Sequence, residues 1–188
     1  IDTVAVDGQI VNTTQLYYVK FHKPKGYVTA VEDSSHPVVM DLLPPEYVKM
    51  GVVPVGRLDK DTEGLLLLTN DGVWGHSIIN GNKHVPKVYY VEFEGELSEE
   101  GINRIKEGIV LGDGTHCKPA IIEPLTVHSV NITIEEGKYH QVKRMIGAAG
   151  GSVTYLKRLT IGHVDLSGIE DVGSVMDLTI DDIEGFKK

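Results

Sequence analysis

The chain has 188 residues, a formal net charge of −9 and 24% charged residues, values typical of an ordinary globular protein. It has no apolar run approaching the ~20 residues that span a membrane and no signal-peptide pattern, so we expect a cytoplasmic location. A single cysteine, Cys117, excludes an internal disulfide, and the eight histidines lack the spacing of a zinc site. The sequence therefore predicts no metal or other cofactor.

Positive charge is concentrated in two parts of the chain. The segments 8–31 and 137–164 contain lysine and arginine but no acidic residue, whereas acidic residues are dense in 92–100 and 165–184. Because the local potential decides whether a polyanion binds, the net charge does not exclude such a partner. Solvated surface charges would give the same pattern, and this interpretation stays open. The candidates for phosphate contacts are Lys20, Lys23, Lys25, Arg144, Lys157 and Arg158.

In chain order, β segments alternate with helices. Residues 4–11 are predicted to form two short strand pieces around an Asp-Gly turn, a fragment too small to fold alone. Further strands are predicted at Leu16–Phe21, Gly26–Val31, Val52–Gly56, Leu65–Thr69, Lys87–Gly95, Cys117–Leu125, Val127–Glu136 and Ser152–Gly162. Helices are predicted at Asp41–Tyr47 (a turn broken by two prolines), from Asn70 or Asp71 to Ile79, at Ser98–Glu107 and at Lys138–Gly150. The pattern indicates an α+β fold with a mainly antiparallel or mixed sheet and flanking helices.

The segment Gly56–Gly72 reads GRLDKDTEGLLLLTNDG and places five charged residues directly before four leucines. The leucines predict a strand buried on both faces. A calcium-binding loop would need a bidentate glutamate at its twelfth position, where the chain has Asn70, so this interpretation is rejected. A structural ion pair between Arg57 and Asp59 stays open. So does a catalytic carboxylate at the mouth of the sheet, kept ionised by a nearby cation.

The helix predicted from Lys138 offers candidates for that cation. On a helical wheel Lys143 lies at the border of an apolar stripe, whereas Arg144 points away from the core. A border lysine can reach a carboxylate in a cleft, and an outward arginine suits a phosphate. Ordinary solvated side chains would also fit these two positions. The apolar stripe consists of Val142, Met145, Ile146 and Ala149.

Three further segments accompany the charged stretch at 56–72. They are KVYYV at 87–91, EGKYHQVKRMIGAAGG at 136–151 and LKRLTIG at 156–162. Together, in this order and spacing, the four segments resemble the RsuA-like family of pseudouridine synthases, and the similarity covers residues 15–188. VAVDGQIV also resembles the last strands of the S4-type RNA-binding domain that precedes the catalytic domain in this family. The resemblance implies a remnant of an S4-like domain in residues 1–14 and a pseudouridine synthase domain in residues 15–188.

The resemblance also implies a pseudouridine synthase fold with a central RNA-binding cleft and roles for individual residues. Asp59 is expected to be the catalytic residue, Tyr89 to pack against the target base, and Lys143 to pair with Asp59. Arg57 is expected to hold the flipped nucleotide or its phosphate. The reaction breaks the glycosidic bond of a uridine, rotates the uracil and joins C5 to C1′, without a metal or redox step. Whether Asp59 attacks a carbon or abstracts a sugar proton stays open.

The form YHQVKRM at 139–145 resembles the small-subunit branch of the family. It implies a uridine of the 530 loop of 16S ribosomal RNA as substrate, in free RNA or in a partly assembled small subunit, and we expect a monomer. Two alternatives stay open. One is a synthase that acts on 23S ribosomal RNA, and the other is a catalytically silent RNA-binding or ribosome-assembly module. The presence of Asp59, Tyr89 and Lys143 favours an enzyme over the silent module.

Overall fold

The computed structural model describes residues 2–6, 9–13, 15–80 and 83–187, the first two ranges by their backbone alone. β1 (Asp2–Val6) and β2 (Gln9–Thr13) pair antiparallel as a two-stranded sheet of their own. The two strand pieces predicted in this region are thereby confirmed, while the predicted Asp-Gly turn lies outside the described residues. That this pair of strands is the remnant of an S4-like domain stays a prediction.

Eight strands of the described residues form the main sheet. They are β3 (Tyr18–Lys23), β4 (Val53–Val55), β5 (Glu63–Thr69), β6 (Lys87–Gly95), β7 (Ile121–Thr126), β8 (Ser129–Ile134), β9 (Gly151–Ile161) and β10 (Val175–Asp177). Their order is β10-β3-β5-β9-β6-β8-β7, with β4 paired to β5. β5 and β9 run parallel, and the other pairs of described strands run antiparallel. The predicted mixed, mainly antiparallel sheet is therefore confirmed.

Helices cover both faces of this sheet. In the described part of the chain they are a 3₁₀ turn (Val39–Leu42), α1 (Pro45–Lys49), α2 (Gly72–Ile79), α3 (Glu99–Glu107), α4 (Gln141–Ala149) and α5 (Ile180–Gly185). α3 and α4 bury their apolar sides in one hydrophobic cluster with β6 and β8, and α2 and α5 belong to a second cluster. The α+β fold with flanking helices is thus confirmed.

The four leucines of β5 join the two clusters. Leu66 and Leu68 lie in the first cluster, Leu65 and Leu67 lie in the second, and all four are fully buried. Successive side chains of a strand point to opposite faces, so an unbroken leucine run fits only a strand covered on both sides. The prediction for this strand is confirmed, and β5 gives the charged loop before it a rigid support.

Asp71 and Ser98, at which the sequence predicts two helices to begin, cap those helices in the structure. The carboxylate of Asp71 accepts a hydrogen bond of 3.1 Å from the backbone N–H of Trp74 at the start of α2. The hydroxyl of Ser98 accepts one of 2.9 Å from the N–H of Gly101 at the start of α3. Each bond satisfies a backbone donor that has no partner within its helix.

Several boundaries differ from the sequence prediction. Gly26–Val31 is not a strand: in the described residues its pairing is limited to an isolated bridge between Val28 and Val38, and the N–H of Ala30 bonds to the backbone oxygen of Val28 at 3.0 Å instead of to another strand. α4 begins at Gln141 rather than Lys138, because a turn precedes it. β7 likewise begins at Ile121, four residues later than predicted. β10 and α5 were not predicted, since each is short and lacks a clear apolar period.

Candidate active site

A buried lysine fixes the loop that carries Asp59. Nζ of Lys23 donates to the backbone oxygens of Asp59 (3.1 Å), Lys60 (3.2 Å) and Thr62 (2.8 Å). The Lys23 residue is 0% exposed, and burial lowers the pKa of its ammonium group to about 8, while the Asp59 carboxylate opposes this shift. The prediction that Lys23 contacts phosphate is therefore wrong. Its role in the structure is to hold three carbonyls of the loop in place.

The loop enters β5 at Gly64, where β5 approaches β9 closely. Gly64 has a φ of +118°, and a Cβ atom there would overlap the backbone of Arg158, so this position requires glycine. The Arg158 side chain is buried, and its Nε donates to the backbone oxygen of Leu65 at 2.8 Å. Its Nη1 donates to the hydroxyl oxygen of Tyr89 at 3.5 Å. Arg158 thus links β5, β6 and β9, and the prediction that it faces a phosphate is wrong.

The Asp59 carboxylate faces the start of α4. Nζ of Lys143 lies 3.5 Å from Oδ2 of Asp59, and Nε2 of His140 lies 3.4 Å from Oδ1. Each carboxylate oxygen therefore has a nitrogen partner, and the Asp59 side chain remains 35% exposed. Lys143 is half-buried and follows the buried Val142 on α4, in agreement with its predicted place at the border of the apolar stripe. The arrangement suits a carboxylate that works in its ionised form.

His140 was not predicted from the sequence as a site residue. Its backbone lies in the left-handed region with a φ of +46°, which is uncommon for a residue other than glycine. This conformation turns its ring toward Asp59 instead of continuing α4 backward to Lys138. The sequence signal was the position of His140 inside the segment 136–151, but helical periodicity cannot place a residue that precedes the helix.

A cleft of about 90 Å³ opens beside the carboxylate. Asp59, Lys143 and the Tyr89 ring contribute to its wall, so the structure brings together the three residues predicted as catalytic. The hydroxyl oxygen of Thr62 is buried next to the cleft and has no hydrogen-bond partner among the described residues. Apolar side chains also line the cleft, namely Leu58, Ile134, Val142 and Leu156.

Arg57 is exposed and lines the same cleft. Among the ion pairs of the described residues none joins Arg57 to Asp59, so the structure gives no support to a structural pair between them. A free guanidinium at the rim of a cleft can bind a phosphate by two parallel hydrogen bonds. The predicted role of Arg57 in holding a nucleotide stays a prediction.

Lys20 and Lys25 are also predicted to contact phosphate, but the structure buries the first and exposes the second. Lys20 is buried and donates to the backbone oxygens of Asp165 (3.0 Å) and Ser167 (2.6 Å), so its predicted phosphate contact is wrong. Lys25 is exposed, with its Nζ 4.6 Å from the centre of the Tyr155 ring. Lys20, like Lys23 and Arg158, thus binds backbone oxygens inside the fold.

Two basic candidates remain near the surface. Lys157 is half-buried. Nη2 of Arg144 lies 2.6 Å from Oδ2 of Asp113, and its Nη1 donates to the backbone oxygen of Tyr139 at 3.1 Å. Arg144 therefore braces the turn before α4, and its predicted contact with a phosphate stays a prediction.

We expect the Lys23→Met variant to be destabilised by roughly 1–3 kcal/mol, because the backbone oxygens that Lys23 binds would lose their buried donor. Turnover should fall as well, since the same oxygens position Asp59. Urea unfolding followed by circular dichroism measures the first effect. The matched control is Lys25→Met, an exposed lysine two positions away, which should change the unfolding free energy by less than about 0.5 kcal/mol. Equal stability of the two variants would contradict a structural role for Lys23.

No group of three or more His, Cys, Asp or Glu side chains in the described part of the chain is arranged to hold a metal ion. Cys117 is a buried free thiol, and burial raises its pKa. In the same residues no helix has the length and apolar character needed to cross a membrane.

Comparison with known proteins gives consistent matches over most of the chain. The family described as RNA pseudouridylate synthase matches residues 17–148. The uncharacterized RNA pseudouridine synthase YtzG of Bacillus subtilis is 44% identical over 184 residues, which are 96% of this chain and 77% of that protein. The ribosomal small subunit pseudouridine synthase A of Escherichia coli is 38% identical over 167 residues, covering 88% of this chain and 72% of that protein.

The fold of this chain also matches that of a solved structure. A crystal structure described as a pseudouridylate synthase superimposes with a TM-score of 0.84 at 37% sequence identity. The match covers 94% of this chain and 76% of the other. The cleft beside Asp59 and the sheet that supports it therefore lie in a part of the fold that this chain shares with proteins of one family.

Proposed function

Because the chain belongs to the family of RNA pseudouridylate synthases, we propose that it converts one uridine of 16S ribosomal RNA, in the 530 loop, to pseudouridine. Pseudouridine synthase activity on RNA is the activity of the family. The 16S substrate is supported by the 38% identity to the Escherichia coli small subunit enzyme and by the YHQVKRM form at 139–145.

One observation carries this proposal. The Asp59 carboxylate lies in a cleft with Lys143 Nζ 3.5 Å from one of its oxygens and the Tyr89 ring in the wall. An ionised carboxylate beside a flat aromatic surface is suited to a uracil nucleotide that has left its stem. A silent RNA-binding module would not need this combination, so the site favours an enzyme.

Individual residues of the cleft have proposed roles in the isomerisation of uridine. The N1–C1′ bond of the uridine breaks, the uracil rotates, C5 bonds to C1′, and the hydrogen of C5 is replaced by one on N1, so the product is an isomer. Asp59 acts on the sugar or the base in its ionised form, with Lys143 holding the carboxylate. Tyr89 packs against the uracil, and its hydroxyl, held by Arg158, is available for proton transfer. Arg57 binds the nucleotide phosphate.

The RNA would approach over a groove of about 470 Å³ that leads to Asp59. Cationic side chains line this groove, and the exposed ones can neutralise phosphates. These replace Lys20, Lys23 and Arg158, which are buried, as the phosphate-contacting residues. The cations of the groove are Arg57, Lys60, Lys138 and Lys143.

Three further parts of the proposal concern the setting of the reaction. The substrate is the free 16S RNA or a partly assembled small subunit, the protein acts as a monomer, and it meets this substrate in the cytoplasm. Residues 1–14 are proposed to belong to an S4-like RNA-binding domain, in line with the antiparallel pairing of β1 and β2. The catalytic domain is proposed to be residues 15–188.

A pseudouridine map of the ribosomal RNA tests the proposed substrate. Total RNA from a strain lacking the protein and from the same strain complemented with it is mapped by chemical labelling of pseudouridine. We expect one site, in the 530 loop of 16S RNA, to appear only with the protein. A protein-dependent site in 23S RNA alone would overturn the 16S assignment and leave the enzyme class intact, and the absence of any protein-dependent site would overturn the proposed substrate class.

A further inference from the structure

Two stacked rings stand at the mouth of the cleft. The rings of Tyr139 and His140 have centroids 3.9 Å apart and planes inclined by 18°. Tyr139 is 75% exposed, one of the most exposed large side chains of the described residues. The His140 ring also lies against Asp59, with 3.4 Å between Nε2 and Oδ1. His140 therefore lies between an exposed aromatic ring and the carboxylate of the proposed reaction.

The backbone that presents this pair is held in place. Arg144 donates from Nη1 to the backbone oxygen of Tyr139 (3.1 Å) and from its backbone N–H to that of His140 (2.9 Å). Asp113 fixes the Arg144 guanidinium at 2.6 Å. The side-chain oxygen of Gln141 accepts from the backbone N–H of Lys138 at 3.0 Å. An exposed aromatic residue beside a braced, left-handed residue is a feature that folding alone does not explain, and such strain occurs at binding sites.

The surroundings of the pair indicate what it binds. Tyr139 and His140 line the same groove as Asp59, together with the exposed cations Arg57 and Lys60. A protein partner would call for a contiguous apolar patch around the ring, whereas half of the residues that line this groove are charged, four of them cations and two of them carboxylates. Unpaired RNA bases stack on exposed aromatic rings while nearby cations neutralise their phosphates. The combination of ring and cations in one groove therefore fits a single-stranded stretch of RNA.

We propose that Tyr139 and His140 form a stacking platform for an unpaired base of the RNA substrate that lies close in sequence to the uridine in the cleft. This inference rests on the proposed function, because it takes Asp59 as the reacting carboxylate. A base stacked on the outer face of Tyr139 restricts the motion of both rings, and Nε2 of His140 is thereby held against Asp59. Tyr139 is a substrate-binding residue in this scheme, and His140 is a positioning residue.

Abasic RNA substrates test the platform. A 16S hairpin containing the 530 loop is prepared with one abasic nucleotide at each position flanking the target in turn, and kcat and KM are measured for the wild-type protein and for Tyr139→Ala. Stacking on an aromatic ring is worth ~5- to 150-fold per base. We expect one abasic position to lower kcat/KM of the wild type by about tenfold and to have no effect on Tyr139→Ala. Tyr139→Phe should behave as the wild type.

A fluorescence measurement separates binding from turnover. 2-Aminopurine at the sensitive position should be quenched when the hairpin binds to the Asp59→Asn variant, and this quenching should be absent in the Asp59→Asn, Tyr139→Ala double variant. The platform would be overturned if every abasic position lowered kcat/KM of Tyr139→Ala by the same factor as kcat/KM of the wild type, and if 2-aminopurine were quenched equally by the Asp59→Asn variant and the double variant. Failure of the wild type to modify the intact hairpin would instead contradict the 16S substrate, and the same measurements would then be made on the RNA found by the pseudouridine map.

Discussion

The Asp59→Asn variant is expected to form no pseudouridine above background, with turnover reduced by at least about 10⁴-fold. Asparagine has the shape of aspartate but carries no negative charge, so it can neither attack a carbon nor accept a proton as a carboxylate does. The loop should keep its position, because Lys23 binds its backbone oxygens rather than the Asp59 side chain. RNA binding should therefore persist while product formation stops.

Single-turnover assays on the RNA hairpin, with binding measured separately by filter retention, distinguish these two effects. The matched control is Asp61→Asn, a neighbouring exposed carboxylate in the same loop, which should keep turnover within about threefold of the wild type. Turnover by Asp59→Asn within tenfold of the wild type would contradict the catalytic assignment. Weak binding together with lost turnover would point instead to a disturbed loop.

The part of this site that the sequence predicts is the part built on local periodicity. Four consecutive leucines define β5 because a strand covered on both faces is the element that buries every residue of such a run. The apolar stripe of α4 places Lys143 at its border, and the structure puts that lysine 3.5 Å from the Asp59 carboxylate. In both cases a short segment contains the information that fixes the side-chain direction.

Long-range contacts explain why the predicted phosphate contacts of three basic residues are wrong. Lys20, Lys23 and Arg158 lie in segments without acids, yet each donates to backbone oxygens from distant parts of the chain. Nothing local distinguishes a lysine that will meet such carbonyls from one that stays in water, because both stand in a strand of similar pattern. A charged ammonium or guanidinium group can be buried only when all of its hydrogen-bond acceptors are in place. These acceptors come together only in the complete sheet.

The same reason explains why His140 was overlooked. A helical period extended backward from α4 places His140 on a regular turn, whereas its φ of +46° breaks that period. Arg144 binds the backbone oxygens of Tyr139 and His140, and its guanidinium is paired with Asp113 in another loop. Two segments distant in sequence, residues 139–144 and the loop of Asp113, thus hold the backbone that carries this ring.

Replacing Lys143 by Met should lower kcat by roughly 10²- to 10³-fold with a smaller change in KM, the range expected when one charged partner of a reacting group is removed from a cleft. The Asp59 carboxylate would lose the cation at Oδ2, while the His140 ring at Oδ1 would remain. Lys143→Arg should recover part of the activity, because it restores the charge with a different shape. Lys106→Met, which removes an exposed lysine from α3, is the control for the loss of a positive charge.

The double variant Lys143→Met, His140→Gln carries the sharper test. Once Lys143 is removed, the His140 ring, 3.4 Å from Oδ1, is the remaining ion-pair partner of Asp59 among the described residues. The double variant should therefore turn over about tenfold more slowly than Lys143→Met, the size expected for one lost hydrogen bond to a charged group. His140→Gln alone should cost less, because Lys143 still faces Oδ2. Equal turnover of Lys143→Met and the double variant would mean that His140 does not support the carboxylate, and wild-type turnover in Lys143→Met would mean that Lys143 does not.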